Sequence, residues 1–260
     1  MIDIHSHIIP GIDDGAQNMK EAVAMAEAAY ENGTYIMAAT PHFMEGGSFS
    51  NYYGRELTDS FNKLKEELLL RKIPLELKLG MEIYYSGNVS ELLRQGWITG
   101  LNQTKYILVE FDFSENLYNI YSGIQELIES GYIPVIAHPE RYPYVQNRVN
   151  LVYEWIQSGC LIQIDTGSAL GRFGKKAQET SFKLLTRKMV HVIASDSHDR
   201  MQRGPSMLQL YGLIRSEFGQ KYAGNIFELN PGLILKDEAV PICEPVWCRE
   251  KKRFTMFREE

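Results

Sequence analysis

The sequence predicts an α/β fold with a parallel sheet, either an open doubly wound sheet or a closed or nearly closed barrel. Three observations predict it. Short apolar runs alternate with helix-period segments as far as about Leu235, in about seven strand-then-helix repeats. Strands separated by helices run parallel, with right-handed crossovers. No G-x-G-x-x-G follows any strand, so a dinucleotide-binding sheet has no support.

In chain order, Ile2 to Ile4 reads as a short buried strand. His5 and His7 leave its end on one side, with Ser6 on the other, because side chains alternate along an extended chain. Asp13, Asp14 and Gly15 form a turn. Asn18 is the expected N-cap of a helix from Met19 to Asn32, closed by Gly33. Tyr35 to Thr40 is a strand ending at Pro41-His42, and Gly46-Gly47 marks a loop. Asn51 to Arg71 is a long amphipathic helix, and Leu75 to Met81 a strand ending at Glu82. After a short helix, Val89 to Gln95, the strand Tyr106 to Val109 ends at Glu110. A helix from Tyr118 stops before Gly131, and the strand Pro134 to Ala137 ends at His138. Another helix, Val149 to Ser158, stops at Gly159, and Leu161 to Ile164 ends at Asp165. Ala177 to Lys188 is helical, and the strand His191 to Ala194 ends at Ser195-Asp196-Ser197-His198. Two helical stretches follow, Met207 to Phe218 and Lys221 to Phe227. Residues 1–235 read as one domain; 236–260, mixed in charge and carrying Pro241 and Pro245, read as a peripheral tail.

A formal charge of −6 disfavours a general nucleic-acid binder. No apolar run is long enough to cross a bilayer, so no membrane insertion is expected. Met1 starts directly on a strand, without a signal peptide, and the three cysteines are widely spread. Both features fit a cytoplasmic protein with reduced thiols. No motif bears on oligomeric state.

The functional signal is positional. His5 and His7, His42, Glu82, Glu110, His138, and Asp196 with His198 each fall at the C-terminal end of an expected strand. In a parallel barrel those ends share one rim, where active sites are built. A single His at a strand end is most often structural, and Asp14 alone reads as a turn residue or cap. Together they read as a metal site. Asp165 is left out because Thr166-Gly167 suggests a turn, and His191, at a strand start, is read as structural. The donors are imidazole and carboxylate with no thiol, which favours Mn²⁺, Fe²⁺, Zn²⁺ or Mg²⁺. His5, His7, Asp14, His42, Glu82, Glu110, His138, Asp196 and His198 are too many for one ion of usual coordination number. Two or three ions bridged by a carboxylate are expected, with Glu82 as the bridge.

These residues resemble the motifs of the polymerase-and-histidinol-phosphatase (PHP) superfamily. The motifs are His5-Ser6-His7, Asp14-Gly15, Thr40-Pro41-His42, Glu82, Glu110, His138-Pro139-Glu140-Arg141-Tyr142 and Ser195-Asp196-Ser197-His198. The strings Ile9-Pro10-Gly11-Ile12-Asp13-Asp14-Gly15 and His138 to Tyr142 are most similar to bacterial manganese-dependent tyrosine-protein phosphatases of capsule and exopolysaccharide operons. The resemblance covers Met1 to about Leu235 and implies a distorted seven-stranded β/α barrel with a trinuclear site. It implies one ion on His5, His7, Glu82 and Asp196, a second on Asp14, His42 and His198, and a third on Glu82, Glu110 and His138. It makes Mn²⁺ the first expectation for the metal, and phosphotyrosine on a bacterial tyrosine autokinase the expected substrate. Phe43 departs from the polar residue that relatives often carry after the motif His.

The expected chemistry is in-line attack of an activated water on a phosphomonoester. Arg141 would hold the phosphoryl oxygens bidentately, and Arg203 is a second candidate. The competing role for Arg141 is a surface ion pair with Glu140. Phe43, Tyr142 and Tyr144 are candidates to flank the phenyl ring, unless they serve only packing. Cys243 and Arg249 have the C-x₅-R spacing of cysteine-dependent tyrosine phosphatases. However, Pro245 removes an N–H from that loop and no glycine lies between them. Three further functions compete with tyrosine dephosphorylation: a phosphomonoesterase such as histidinol phosphatase, a metal-dependent exonuclease, and a non-catalytic metal-binding regulator.

Overall fold

The computed structural model describes residues 1–241 and 244–248. Its strands are β1 (Ile2–Asp3), β2 (Ile36–Ala39), β3 (His42–Phe43), β4 (Glu76–Leu79), β5 (Glu82–Tyr84), β6 (Tyr106–Glu110), β7 (Ile133–Ile136), β8 (Leu161–Asp165) and β9 (Val192–Ala194). Every pairing between them is parallel. They form two ladders, β1-β2-β4 and β3-β5-β6-β7-β8-β9.

The ladders are two parts of one curled sheet. Only Thr40-Pro41 separates β2 from β3, and only Gly80-Met81 separates β4 from β5. Pro41 has no N–H to give to a ladder. A Cβ on Gly80 would lie 3.0 Å from the Leu101 side chain and 3.3 Å from that of Thr40, so glycine lets the chain pack closely at this bend. Backbone bonds run across the bend, from Gly80 N to Ala39 O (2.9 Å) and from Glu82 N to Pro41 O (3.1 Å). His42 and Glu82 therefore begin short second strands, where the sequence placed them at the ends of longer ones. The chain after β1 joins the chain after β9 through Asp196 N to His5 O (3.0 Å) and His7 N to Ser197 O (2.9 Å). Thr40 N bonds Ser6 O on its other side (2.8 Å). These contacts bring the first and last staves of a distorted seven-stave barrel together.

Alternation along β6 separates two cores. Tyr106 and Leu108 pack with Ile4, Ala38, Val135 and Ala194, whereas Ile107 and Val109 pack with the helix-side residues Ile120, Ile124 and Trp155. The helix-side layer comes from helices such as Met19–Glu31, Leu117–Glu129 and Asn150–Gln157. Asn18 caps the first as expected, its side chain accepting from Glu21 N. The second helix begins later than expected, at Arg55. Asn51 instead donates its side-chain amide to the carbonyls of Ile12 and His42, each at 2.9 Å. The C-terminal helical run extends past Phe227 through a π-helical segment, Asn225–Leu229, to Asn230–Ile234.

The described part of 236–248 packs on the body of the fold. Tyr106 OH donates to Glu238 O (2.6 Å), Val246 N to Arg187 O (2.9 Å), and Cys248 N to Asn150 Oδ1 (2.8 Å). Cys243 and Arg249, the C-x₅-R pair, lie outside the described residues.

His191 is buried, and its Nδ1 accepts from Ile162 N at 3.1 Å, which needs the neutral imidazole. Burial lowers its pKa from 6.5 to about 4. Between those values the unfolded chain binds a proton that the folded chain refuses, so stability is present above pH 6.5 and falls on acidification toward pH 4. His191→Asn keeps an acceptor near the Nδ1 position and removes the titration. In pH-dependent denaturation it should be less acid-sensitive than the parent, by up to about 3 kcal/mol near pH 4. Parallel stability–pH curves would contradict this.

Candidate metal centre

The rim at the C-terminal strand ends collects the expected ligands. Extended backbone after β1 sends His5 and His7 the same way, while Ser6 turns to donate to Ala38 O (2.7 Å). The Nε2 atoms of His5 and His7 are 3.2 Å apart. Glu82 Oε2 lies 3.1 Å from His5 Nε2, 3.2 Å from His7 Nε2 and 3.0 Å from His42 Nδ1. Asp196 Oδ1 is 3.4 Å from both His5 and His7. Asp14 Oδ1 lies 3.3 Å from His198 Nε2 and 3.4 Å from His42 Nε2. His138 Nε2 meets Glu82 Oε1 at 3.0 Å and Glu110 Oε1 at 3.6 Å. The structure thus brings all nine expected residues together.

Three groups have ligand atoms mutually within 4.8 Å: His5, His7, Glu82 and Asp196; His7, Asp14, His42 and His198; and His42, Glu82 and Glu110. The first is the set the resemblance implied. In the second, His7 joins the implied residues. In the third, His42 stands with Glu82 and Glu110, and His138 touches both carboxylates. Glu82 belongs to two groups, as a bridging carboxylate would.

Electrostatics holds these groups in opposed charge states. Burial alone would lower His5, but the carboxylates of Glu82 and Asp196 raise it to about 9. His42, likewise opposed by burial, is raised to about 10 by Glu82 and Asp14. Glu82 and Asp196, despite burial, are held well below the usual carboxylate range, chiefly by His5. Burial and then the charge of Glu82 raise Glu110 to about 7. Burial and Arg141 lower His138 to about 4.

In the chain by itself, protons on imidazoles balance the carboxylates. Yet Glu82 Oε2, with three imidazole nitrogens within 3.2 Å, has no aligned hydrogen bond among the described residues, and neither does His198 Nε2. The lone pairs aim at shared space more than at each other's hydrogens. This all-nitrogen-and-oxygen set fits divalent cations, which would replace those protons.

Several buried partners orient the candidate ligands, a role that the sequence did not assign to them. Asp13 Oδ2 accepts from His7 Nδ1 (2.8 Å) and from His42 N (3.1 Å), which leaves His7 Nε2 facing the centre. A Cβ on Gly15 would sit 2.0 Å from His7 O, so the turn carrying Asp13 and Asp14 closes on His7 only with glycine there. Gln163 Oε1 pairs with His5 Nδ1 at 3.0 Å. Asp3 Oδ1 accepts from Ser195 N (3.0 Å) and His5 N (3.3 Å), tying the first stave to the last. His138 (φ 34°) and Asp196 (φ 49°) are left-handed non-glycine residues, backbone strain of the kind that gathers at functional sites.

A cleft of about 290 Å³ opens over these ligands. Arg141 and Arg203 line it, and both reach Asp196 Oδ2, at 3.0 Å and 2.7 Å. Arg141 also meets Asp165 Oδ2 at 3.3 Å, so Asp165, which the sequence alone did not assign to the site, is one of its buried partners. Glu140 accepts from Asp165 N (3.0 Å) and makes no ion pair with Arg141 among the described residues. Tyr142 corrects the expectation that placed it beside substrate. It is fully buried, and its OH accepts from Phe111 N (3.1 Å). Successive residues of the 3₁₀ turn Pro139–Arg141 and its cap point in different directions, so Arg141 faces the cleft and Tyr142 the core. The cleft's aromatic walls are Phe43, Phe49, Tyr84 and Phe113, of which only Phe43 was anticipated. A larger cleft of about 710 Å³, lined by Tyr35, Glu76, Lys78 and Glu228, contains none of the candidate ligands. Chemistry, not volume, locates the site.

Comparison with known proteins agrees with this geometry. A family model described as capsular polysaccharide synthesis, CpsB/CapC, matches residues 1–236. The tyrosine-protein phosphatase YwqE of Bacillus subtilis is 35% identical over 99% of this chain and 100% of its own length. The tyrosine-protein phosphatase CpsB of Streptococcus pneumoniae is 33% identical over 92% of this chain and 100% of its own. A crystal structure from work on YwqE and CpsB, described as unique metal-dependent tyrosine phosphatases, superposes with a TM-score of 0.89 at 34% identity, covering 96% of this chain and 100% of that one. The fold is therefore the expected PHP type, and the chain belongs to the CpsB/CapC family of capsular polysaccharide synthesis.

Proposed function

We propose that this chain is a metal-dependent protein-tyrosine phosphatase, acting on phosphotyrosine of a bacterial tyrosine kinase that controls capsule or exopolysaccharide synthesis. The observation that carries the reading is three ligand groups, two of them sharing Glu82, beneath a cleft with two guanidiniums at its wall. His5, His7, Glu82 and Asp196 would hold one ion, Asp14, His42 and His198 a second, and Glu82, Glu110 and His138 a third. Mn²⁺ is the metal proposed, ahead of Fe²⁺, Zn²⁺ and Mg²⁺. Residues 1–235 would form the catalytic unit, in the cytoplasm; no helix among the described residues is long and apolar enough to cross a membrane.

Bound divalent ions neutralise phosphoryl charge and lower the pKa of water. The protein's own groups supply position. Arg141 and Arg203 bind two phosphoryl oxygens and set the ester in line with the ligand cluster. Phe113 lies parallel to His138, with centroids 6.4 Å apart, and Phe49 parallel to His42, at 5.6 Å. With Tyr84 they make walls suited to a phenyl ring. The tyrosyl leaving group, with a pKa of about 10, departs without a strong general acid.

Two measurements test the reading. Hydrolysis of a phosphotyrosine peptide should be lost to a chelator, regained on adding Mn²⁺, and insensitive to thiol alkylation. The reverse pattern would favour a cysteine nucleophile. Rates on phosphotyrosine peptide and histidinol phosphate, measured side by side, should favour the peptide; a preference for histidinol phosphate would make this another phosphomonoesterase of the superfamily. No turnover with any of the four metals would leave a metal-binding regulator.

A further inference from the structure

Two consecutive residues outside the ligand set support both cleft arginines. After β8 the short helix Thr166–Ala169 leads into a loop bent by Gly171 (φ 85°) and Gly174 (φ 89°). Arg172 Nη1 donates to Gly204 O (3.1 Å) and Gln202 O (3.4 Å), and its Nη2 to Ser206 Oγ, so it holds the loop that bears Arg203. The next side chain, Phe173, lies under both guanidiniums. Its ring centre is 4.5 Å from Arg141 Cζ and 5.7 Å from Arg203 Cζ. The seat of the ring is built in, since a Cβ on Gly167 would come within 2.8 Å of it.

The carboxylate contacts leave something for this platform to do. Asp196 and Asp165 each take single nitrogens of the guanidiniums, which fixes a distance but not the plane of the fork. An aromatic face fixes that plane without cancelling the charge that a phosphate dianion needs. Arg203 Nε is buried with no hydrogen-bond partner among the described residues, so no hydrogen bond at that atom sets the plane of its fork.

We infer that Phe173 and Arg172 are positioning residues that preorganise Arg141 and Arg203 as one oxyanion clamp, with the Phe173 ring as their shared platform. This rests on the proposed role of the two arginines. Ordering two long side chains before substrate arrives removes an entropy cost from binding the phosphoryl group.

The test uses the full chain loaded with Mn²⁺ and inorganic phosphate as the probe. Phe173→Ala and Phe173→Leu should each raise the KM for phosphotyrosine peptide and the inhibition constant of phosphate by roughly tenfold. Mn²⁺ content should stay at the parent level. Phe173→Tyr should restore both constants to within about twofold, since its ring keeps the π face. Arg172→Ala should weaken phosphate binding in the parent but add no further loss to Arg203→Ala, because it acts through that residue. Should Phe173→Ala fail to fold, Phe173→Leu keeps most of the volume and reads the same contact. Unchanged constants in Phe173→Leu, or further loss when Arg172→Ala is added to Arg203→Ala, would overturn the inference. If Arg141→Ala and Arg203→Ala themselves leave phosphate binding intact, the clamp reading falls instead.

Discussion

Glu82→Ala should abolish turnover of phosphotyrosine peptide and lower the metal content of the purified protein. Glu82 is fully buried, belongs to two of the three ligand groups, and faces the nitrogens of His5, His7 and His42 with one oxygen. Its removal takes a negative charge from both groups together. If bound ions contribute several kcal/mol of transition-state charge stabilisation, the loss in kcat/KM exceeds about a thousandfold. Folding should also suffer, because His5 and His42 lose the first charge that offsets their burial. Glu82→Gln separates the two effects. It keeps the volume and should retain the fold better, while still losing metal and turnover. Elemental analysis with steady-state kinetics checks this; near-parental metal content and rate in either variant would remove Glu82 from the centre.

Arg141→Ala should leave the metal in place and still remove most turnover, by about a hundred- to a thousandfold. Arg141 touches the proposed ligand Asp196, but a guanidinium has no lone pair to offer an ion. Asp165 and Asp196 surround it and hold its charge against the effect of burial, although burial and the neighbouring Asp196 push the Asp165 carboxyl itself well above the usual carboxylate range. Lysine would keep the charge but lose the planar fork and its stacking on Phe173, so Arg141→Lys should recover only part of the rate. Alanine also leaves Asp165 buried without its cation, so a fall in thermal stability is expected beside the fall in rate. A variant with parental turnover would exclude Arg141 from the reaction.

What the sequence made legible was the rim. Strand termini can be read from apolar runs, and parallel strands must end together. His5, His7, Glu110, His138, Asp196 and His198 are therefore placed on one side by the residue pattern alone. The bends at Pro41 and Gly80 were not legible, because a period-two run looks the same whether its strand is straight or bent. His42 and Glu82 reach the centre by starting new strands, yet the pattern still located them, since the bend carries the strand direction onward. The orienting roles of Asp3, Asp13 and Gln163 were not legible for a different reason. An acid or amide beside an apolar run is ordinary, and only the fold sets it against a particular imidazole nitrogen. Tyr142 was misplaced because neighbours in sequence were taken as neighbours in the cleft. Phe49, Phe113 and Phe173 lie in loops whose course has no periodic signal, so the aromatic surfaces around the arginines emerged only in three dimensions.

A metal-dependent phosphatase requires the nine donors to converge on a cluster of cations. Anomalous scattering from crystals of the Mn²⁺-loaded protein tests it most directly. Two or three peaks are expected at the C-terminal rim of the barrel, at least two of them within coordinating distance of Glu82. Peaks elsewhere, or none at this rim with the metal in excess, would contradict it.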